Sequence, residues 1–158
     1  MNSINLDRLM EYNIGSYNSI EAILVCLPYR LQLQFAVFLA TQLSQYVTIS
    51  KSIRILNSVE ILNKHLSEPV FNRLECYERL KTDDNKFLMS VVASCDQIYN
   101  SAFRITNEMN KFVTCYELEF GEQSSTDAKI MFSSFLRNLI LENLTDEQKE
   151  NWLLVANI

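Results

Sequence analysis

The side chains that could act as catalytic bases are few in this chain, because His65 is its only histidine. A serine or cysteine nucleophile usually needs an imidazole held beside it to remove its proton. His65 falls in the last turn of a predicted helix, where it can hydrogen-bond backbone carbonyls and complement the helix dipole. No G-x-S-x-G motif accompanies it. The sequence therefore predicts a structural role for His65.

Metal and phosphate sites also lack their usual motifs. The only two glycines, Gly15 and Gly121, stand too far apart to form a loop of backbone amides around a phosphate. The cysteines form no C-x-x-C pair, and a single histidine cannot complete a common zinc site. We expect no metal and no cofactor. The cysteines, which we expect to be reduced, are Cys26, Cys76, Cys95 and Cys115.

Paired carboxylates are the remaining route to acid–base or metal-dependent chemistry. Glu75 and Glu78 are three residues apart on a predicted helix, but Arg73 and Arg79 are interspersed with them, which is typical of a solvated helix face. The Glu-x-x-His motifs of helical di-metal sites do not occur. We therefore predict that the protein is not an enzyme.

A group of glutamates near the C-terminal end of one predicted helix does break a local rule. Glu117, Glu119 and Glu122 lie where the helix dipole disfavours negative charge. Residues 1–115 carry 11 basic and 11 acidic side chains, whereas residues 116–158 carry 3 and 8, so this region holds the whole net charge of −5. We interpret the three glutamates as a candidate surface for a partner protein with basic character; the alternative is an exposed acidic cluster that is tolerated and only aids solubility. The acidic charge argues against nucleic-acid binding.

Helices are the elements that must position these residues. Two glycines and two prolines are too few for the tight turns of a multi-stranded sheet. Apolar residues recur at helical spacing along most of the chain. We predict an all-α fold, a single-domain multi-helix bundle of about eight helices over residues 1–158. Two of the predicted buried stripes are Leu31, Phe35, Phe38, Leu39, Leu43 and Tyr46, and Ile55, Val59, Leu62 and Leu66.

Turn and capping signals give the boundaries of several helices. An N-terminal helix with Ile20 and Leu24 should stop at Pro28. A further helix is predicted to begin near Ser67, with Pro69 in its first turn, and to carry Val70, Leu74 and Tyr77 inward. Gly121 is a predicted left-handed stop. The residues from Thr145 to Gln148 match a capping box that opens a short terminal helix containing Trp152.

The location of the protein is predicted from two further absences. The longest apolar runs are far shorter than the roughly 20 residues needed to span a bilayer. Residues 1–7 lack the basic start and apolar block of a secretory signal. We therefore expect a cytoplasmic protein with no membrane segment.

The segment from Leu27 to Ala36, which reads LPYRLQLQFA, carries a family resemblance together with Ala40 one turn on. It resembles the opening helix of some all-helical bacterial immunity proteins, the small cytosolic antidotes paired with polymorphic toxins. The resemblance covers residues 27–40. It implies a protein without catalytic groups that presents acidic side chains to a basic toxin.

These observations lead to three hypotheses of different classes. The first is a protein-binding inhibitor, an immunity-type antidote that neutralises a cognate toxin by stoichiometric binding through Glu117, Glu119 and Glu122. The second is a helical adaptor or regulatory domain, including a viral one, that binds an amphipathic partner helix in an apolar groove. The third is an enzyme that uses carboxylates and a metal. Oligomeric state and helix topology are left open by the sequence.

Overall fold

The structure, a computed structural model, describes residue 24 and residues 27–81, 86–93, 98–121 and 125–150. These residues contain helices and no strand, which confirms the all-α prediction. Residues 146–150 are also helical. In chain order the helices are α1 (Tyr29–Leu43), a 3-10 turn (Ser44–Tyr46), α2 (Ile49–Leu66), α3 (Arg73–Lys81), α4 (Lys86–Ala93), α5 (Ile98–Phe120) and α6 (Ser125–Asn143).

The helix count in the described part of the chain, six α-helices and one 3-10 turn, is close to the predicted eight. Of the predicted N-terminal helix before Pro28, only Leu24 and Leu27 are among the described residues. Trp152 lies outside them. The prediction of a single domain stays a prediction. No helix within the described ranges is long and apolar enough to cross a membrane.

Helix α1 is central in the bundle, because it contacts α2, α4, α5 and α6. Its apolar residues surround most of its circumference, which is typical of a buried helix. Phe35 is fully buried and lies against Phe132 of α6, with ring centroids 6.4 Å apart. Phe38 stacks on Phe135 of the same helix at 3.9 Å. These aromatic contacts pack α6 against α1, a pairing that the sequence had left open.

The predicted start of the third helix was wrong. Helix α3 begins at Arg73, six residues after Ser67, and Val70 and Leu74 are 80% and 69% exposed instead of buried. The side chain of Asn72 caps the helix, since its Oδ1 accepts a hydrogen bond from the amide of Glu75 at 3.1 Å. The side chains that α3 buries are Cys76 and Leu80.

A long-range contact explains this shift. The guanidinium of Arg30 in α1 donates hydrogen bonds to the carbonyl oxygens of Leu66, Glu68 and Pro69, at 3.0, 3.1 and 3.0 Å. Those carbonyls lie at the end of α2 and in the turn that follows. A helix starting at Ser67 would need the carbonyls of Glu68 and Pro69 for its own ladder. Arg30 therefore stabilises a turn where local sequence favoured a helix.

Two other boundary predictions are confirmed. Gly121 has φ +97°, and its amide donates to the carbonyl oxygen of Glu117 at 2.7 Å, so it ends α5 in the left-handed region. Thr145 and Gln148 form the reciprocal capping box, with distances of 3.1 Å from the Gln148 amide to Thr145 Oγ1 and 2.9 Å from the Thr145 amide to Gln148 Oε1.

Candidate functional site

Two of the three predicted partner-binding glutamates lie in the last turn of α5. Glu117 is half-buried and Glu119 is exposed, whereas Glu122 is outside the described residues. Residues two apart on a helix project roughly 200° from each other, because each residue turns the helix by about 100°. The structure therefore places Glu117 and Glu119 at the same helix end but on different sides of it. They do not form one compact acidic patch.

The same helix end carries an aromatic cluster that runs from the core to the surface. The ring of Tyr46 lies 5.6 Å from Phe112, 6.0 Å from Tyr116 and 6.3 Å from Phe120, centroid to centroid. Phe112 is fully buried and Phe120 is exposed. Burial raises the pKa of the Tyr46 phenol, and the nearby Tyr116 and the carboxylate of Glu119 raise it further. Glu119 is therefore electrostatically coupled to this cluster.

Two large apolar side chains lie beside the glutamates in sequence and reach into solvent. Leu118 is 84% exposed and Phe120 is 59% exposed. Exposed aromatic and aliphatic side chains next to charged ones are a feature of protein interfaces, where the apolar residues anchor the contact and the charges surround it. We call these four side chains, Glu117 to Phe120, which project to different sides around the last turn of α5, the α5 end surface.

Helix α2 has an exposed apolar face in addition to its buried one. Ile49, Ile53 and Leu56 follow the i, i+4, i+7 spacing of one helix face, and all three are exposed. The predicted stripe of Ile55 and Val59 lies on another side and is buried. The sequence pattern predicted one apolar face for α2, the buried one. The second face was missed, although the spacing of Ile49, Ile53 and Leu56 can be read from the sequence.

A larger feature that sequence reasoning missed is a cleft of about 750 Å³ between α2, α4 and α5. Its buried lining residues are Leu43, Ile55 and Glu108, and its exposed ones are mostly basic. We call it the basic cleft. Its apolar lining residues are Leu43, Val47, Ile55, Phe87 and Cys115, and its basic ones are Lys51, Arg54, Lys86, Arg104 and Lys111.

The positive charge of the basic cleft is largely unneutralised by the residues that the structure describes. Glu108 is the one acidic side chain among the described lining residues, and it pairs with Lys111 at 3.3 Å. Lys51, Arg54, Lys86 and Arg104 are exposed and form no ion pair with a described residue. Asp83 and Asp84 precede Lys86 in the sequence but lie outside the described residues.

Helix geometry adds to the positive potential of the basic cleft. Lys51 is the third residue of α2 and Lys86 is the first residue of α4, and neither helix has an acidic residue in its first turn. The N-terminal end of a helix is the positive end of its dipole, where basic side chains are disfavoured. Two helix ends thus carry lysines against the local rule, and both lysines border the same cleft.

His65, the only imidazole, lies elsewhere. It is buried in the last turn of α2, as predicted, but its Nε2 has no hydrogen-bond partner among the described residues. It lines a second cavity of about 560 Å³ together with Lys64, Glu68, Glu75 and Arg79. No group of three metal-ligating side chains occurs within the described ranges.

Comparisons with known proteins give no family for this chain, since no protein-family model, no curated protein and no solved structure matches it. The class that the described residues define is an all-α helical bundle with exposed apolar and charged surfaces.

Proposed function

We propose that this protein is a protein-binding inhibitor of the immunity type, which neutralises a cognate toxin by covering its active site or substrate surface. The observation that carries the proposal is the α5 end surface, where Leu118 and Phe120 are exposed beside Glu117 and Glu119. Such a role needs no catalytic group of its own. The resemblance of residues 27–40 to immunity proteins agrees with this choice.

The two kinds of side chain in this surface have different tasks in the proposed complex. The ring of Phe120 packs against the rings of Tyr46 and Tyr116 and is still exposed, so its free side can contact a partner while the cluster holds it in place. Buried aromatic anchors supply much of the affinity in protein interfaces. Glu117 and Glu119 supply a negative field that speeds association with a basic partner.

The test is co-purification with the products of adjacent genes, followed by binding kinetics. We expect Phe120→Ala to raise the dissociation rate by about tenfold or more, since truncation of an anchor costs roughly 1–2 kcal/mol or more. We expect Glu117→Lys with Glu119→Lys to slow association and to reduce its dependence on salt.

Glu142→Lys is the matched control, because Glu142 is an exposed glutamate of α6 and has no ion pair with a described residue. It lies 17 residues beyond the start of α6, or about 25 Å along the helix. We expect it to bind as the wild type does. If no neighbouring gene product co-purifies, or if the α5 end variants bind as Glu142→Lys does, the proposal is wrong.

A second candidate function, a helical adaptor that binds an amphipathic partner helix, is favoured by the exposed face of α2. Ile49, Ile53 and Leu56 present the spacing with which an amphipathic helix packs against another. An apolar interface of this kind is little affected by salt, whereas an acidic one is weakened. Binding that persists in high salt and is lost in Ile53→Ser would favour the adaptor over the inhibitor.

A further inference from the structure

We propose that the basic cleft binds an acidic, amphipathic segment of a partner protein, with the carboxylates of that segment on the basic edges and its apolar side chains on the floor. The basic cleft has the opposite charge to the α5 end surface. The inference therefore does not rest on the function proposed above, and the two can fail separately.

Charge complementarity is the first argument for an anionic occupant. Five basic side chains and one carboxylate line the basic cleft, an excess of four positive charges among the described lining residues, in a chain whose net charge is −5. The one carboxylate, Glu108, is already paired with Lys111. The rest of the chain has an excess of negative charge, so a concentration of cations that no described carboxylate beyond Glu108 compensates favours a negatively charged ligand in the cleft.

The spacing of the cations favours an elongated occupant with several charges. Along α5 the cleft runs from Arg104 to Cys115, which is about 16 Å at 1.5 Å per residue. Arg104 and Lys111 are about 10 Å apart along this axis. A single phosphate or carboxylate would contact both only if the two long side chains converged on it. Acidic side chains distributed along a helical peptide can do so, because two turns of a helix span about 11 Å.

The chemistry of the floor favours a peptide over a nucleic acid. Leu43 and Ile55 are buried there beside the carboxylate of Glu108. Val47 is half-buried, and Phe87 is the only aromatic residue among the described lining residues. Single-stranded nucleic acids are bound on several exposed aromatic rings that stack on the bases. An aliphatic floor matches leucine or isoleucine side chains instead. A volume of about 750 Å³ is within the range of pockets that enclose several such groups.

Two arginines provide the mutational test. We would measure binding of the full-length protein to a fluorescein-labelled helical 12-residue peptide of glutamate and leucine, with the leucines on one face, by fluorescence anisotropy. Arg54→Glu and Arg104→Glu should each weaken binding by about tenfold, since each exchanges an attraction at the protein surface for a repulsion. A peptide with glutamine in place of every glutamate should bind at least tenfold more weakly than the acidic peptide.

Lys64→Glu is the matched control, because it makes the same change of charge on the same helix as Arg54, and Lys64 is exposed and does not line the basic cleft. It should change the affinity by less than twofold. Glu117→Lys with Glu119→Lys should leave peptide binding intact, which separates this site from the proposed inhibitor function. Circular dichroism of every variant establishes that its helices are retained.

Cys115 gives a second measurement that needs no substitution. Its thiol lines the basic cleft and is partly exposed, whereas Cys76 is buried. Saturating peptide should slow the modification of Cys115 by N-ethylmaleimide by about fivefold or more, as read by mass spectrometry of the Cys115 fragment. Unchanged modification, or equal affinities of Arg54→Glu and Lys64→Glu, would overturn the proposal. So would tighter binding of a single-stranded oligonucleotide or of tripolyphosphate than of the acidic peptide.

Discussion

Replacement of Arg30 by methionine is expected to destabilise the fold because one guanidinium holds three backbone carbonyls together. Arg30 Nη1 donates to the carbonyl oxygens of Leu66 and Glu68, and its Nη2 donates to that of Pro69. Methionine retains the apolar stem of the side chain and removes the donors. The last carbonyls of α2 and the carbonyls of the turn would then have to be satisfied by water or by a changed backbone.

The expected loss of stability in Arg30→Met depends on how buried each of the three hydrogen bonds is. A hydrogen bond from a charged donor contributes about 1.5–3 kcal/mol when it is removed from water. The bond to Leu66 is partly buried, so we count it at about 1.5 kcal/mol, and the two exposed bonds at about 0.5 kcal/mol each. The total is a loss of about 2.5 kcal/mol in the free energy of unfolding. With a typical urea dependence, that lowers the unfolding midpoint by about 1 M or more.

Urea unfolding followed by circular dichroism is the assay, with Arg54→Met as the control. Arg54 is an exposed arginine on α2 that makes no ion pair with a described residue, so its loss should change the stability by less than about 0.5 kcal/mol. Arg30→Lys should fall between the wild type and Arg30→Met, because one ammonium cannot reproduce the planar fork of a guanidinium. Equal midpoints for Arg30→Met and Arg54→Met would refute the reasoning.

Two further predictions concern the end of α5 and its neighbours. Gly121→Ala should lower the free energy of unfolding by roughly 1–2 kcal/mol, which is the cost of a left-handed conformation for an L-residue. The space around an added Cβ is open, so no clash adds to this cost. Gly121→Asn should lose less, and equal stability of Gly121→Ala and wild type in urea would contradict this. Tyr46 has a folded-state pKa raised above 10.0, so the folded state holds its proton more tightly and stability should fall as the pH rises above about 10. Tyr46→Phe should reduce the loss of stability above about pH 10, and Glu119→Gln should lower the pKa of Tyr46 as measured by phenolate absorbance. If stability falls with pH equally in Tyr46→Phe and wild type, burial and Glu119 do not raise the pKa of Tyr46.

Much of the helical architecture was predictable because its causes are local. The spacing of Ile55, Val59 and Leu62 places three apolar side chains on one side of α2, and all of them are buried. Gly121 ends α5 because an L-residue avoids its backbone conformation. Thr145 caps its helix because its hydroxyl is within reach of an amide three residues away. None of these depends on residues far away in the chain.

The start of α3 was not predictable from neighbouring residues. Pro69 and the apolar Val70 and Leu74 gave a plausible helical pattern, but a guanidinium from α1 occupies the carbonyls that this helix would have needed. The choice between helix and turn depends on a contact across 38 or 39 positions of sequence. Such a contact exists only once α1 and α2 have packed together.

The candidate site at the end of α5 was also predictable only in part. The glutamates at positions 117 and 119 could be found from the sequence, because their charge and their place at a helix end are local properties. The structure added what surrounds them: the aromatic cluster of Tyr46, and the exposure of Leu118 and Phe120. The glutamates project in different directions, whereas Phe120 is held against Tyr46 and Tyr116, so Phe120 is the more informative residue of that surface.

By itself, the sequence determined that this protein is built of helices and which residues form most of their buried apolar faces. It also determined that the negative charge is concentrated after residue 115. The basic cleft was decided by the tertiary structure alone. Lys51 and Arg54 are three residues apart, but Lys86, Arg104 and Lys111 lie far from them in the chain, and the net charge of residues 1–115 is zero. Three helices bring them to one opening because each helix buries its apolar face in the core and leaves the long basic side chains at the edge.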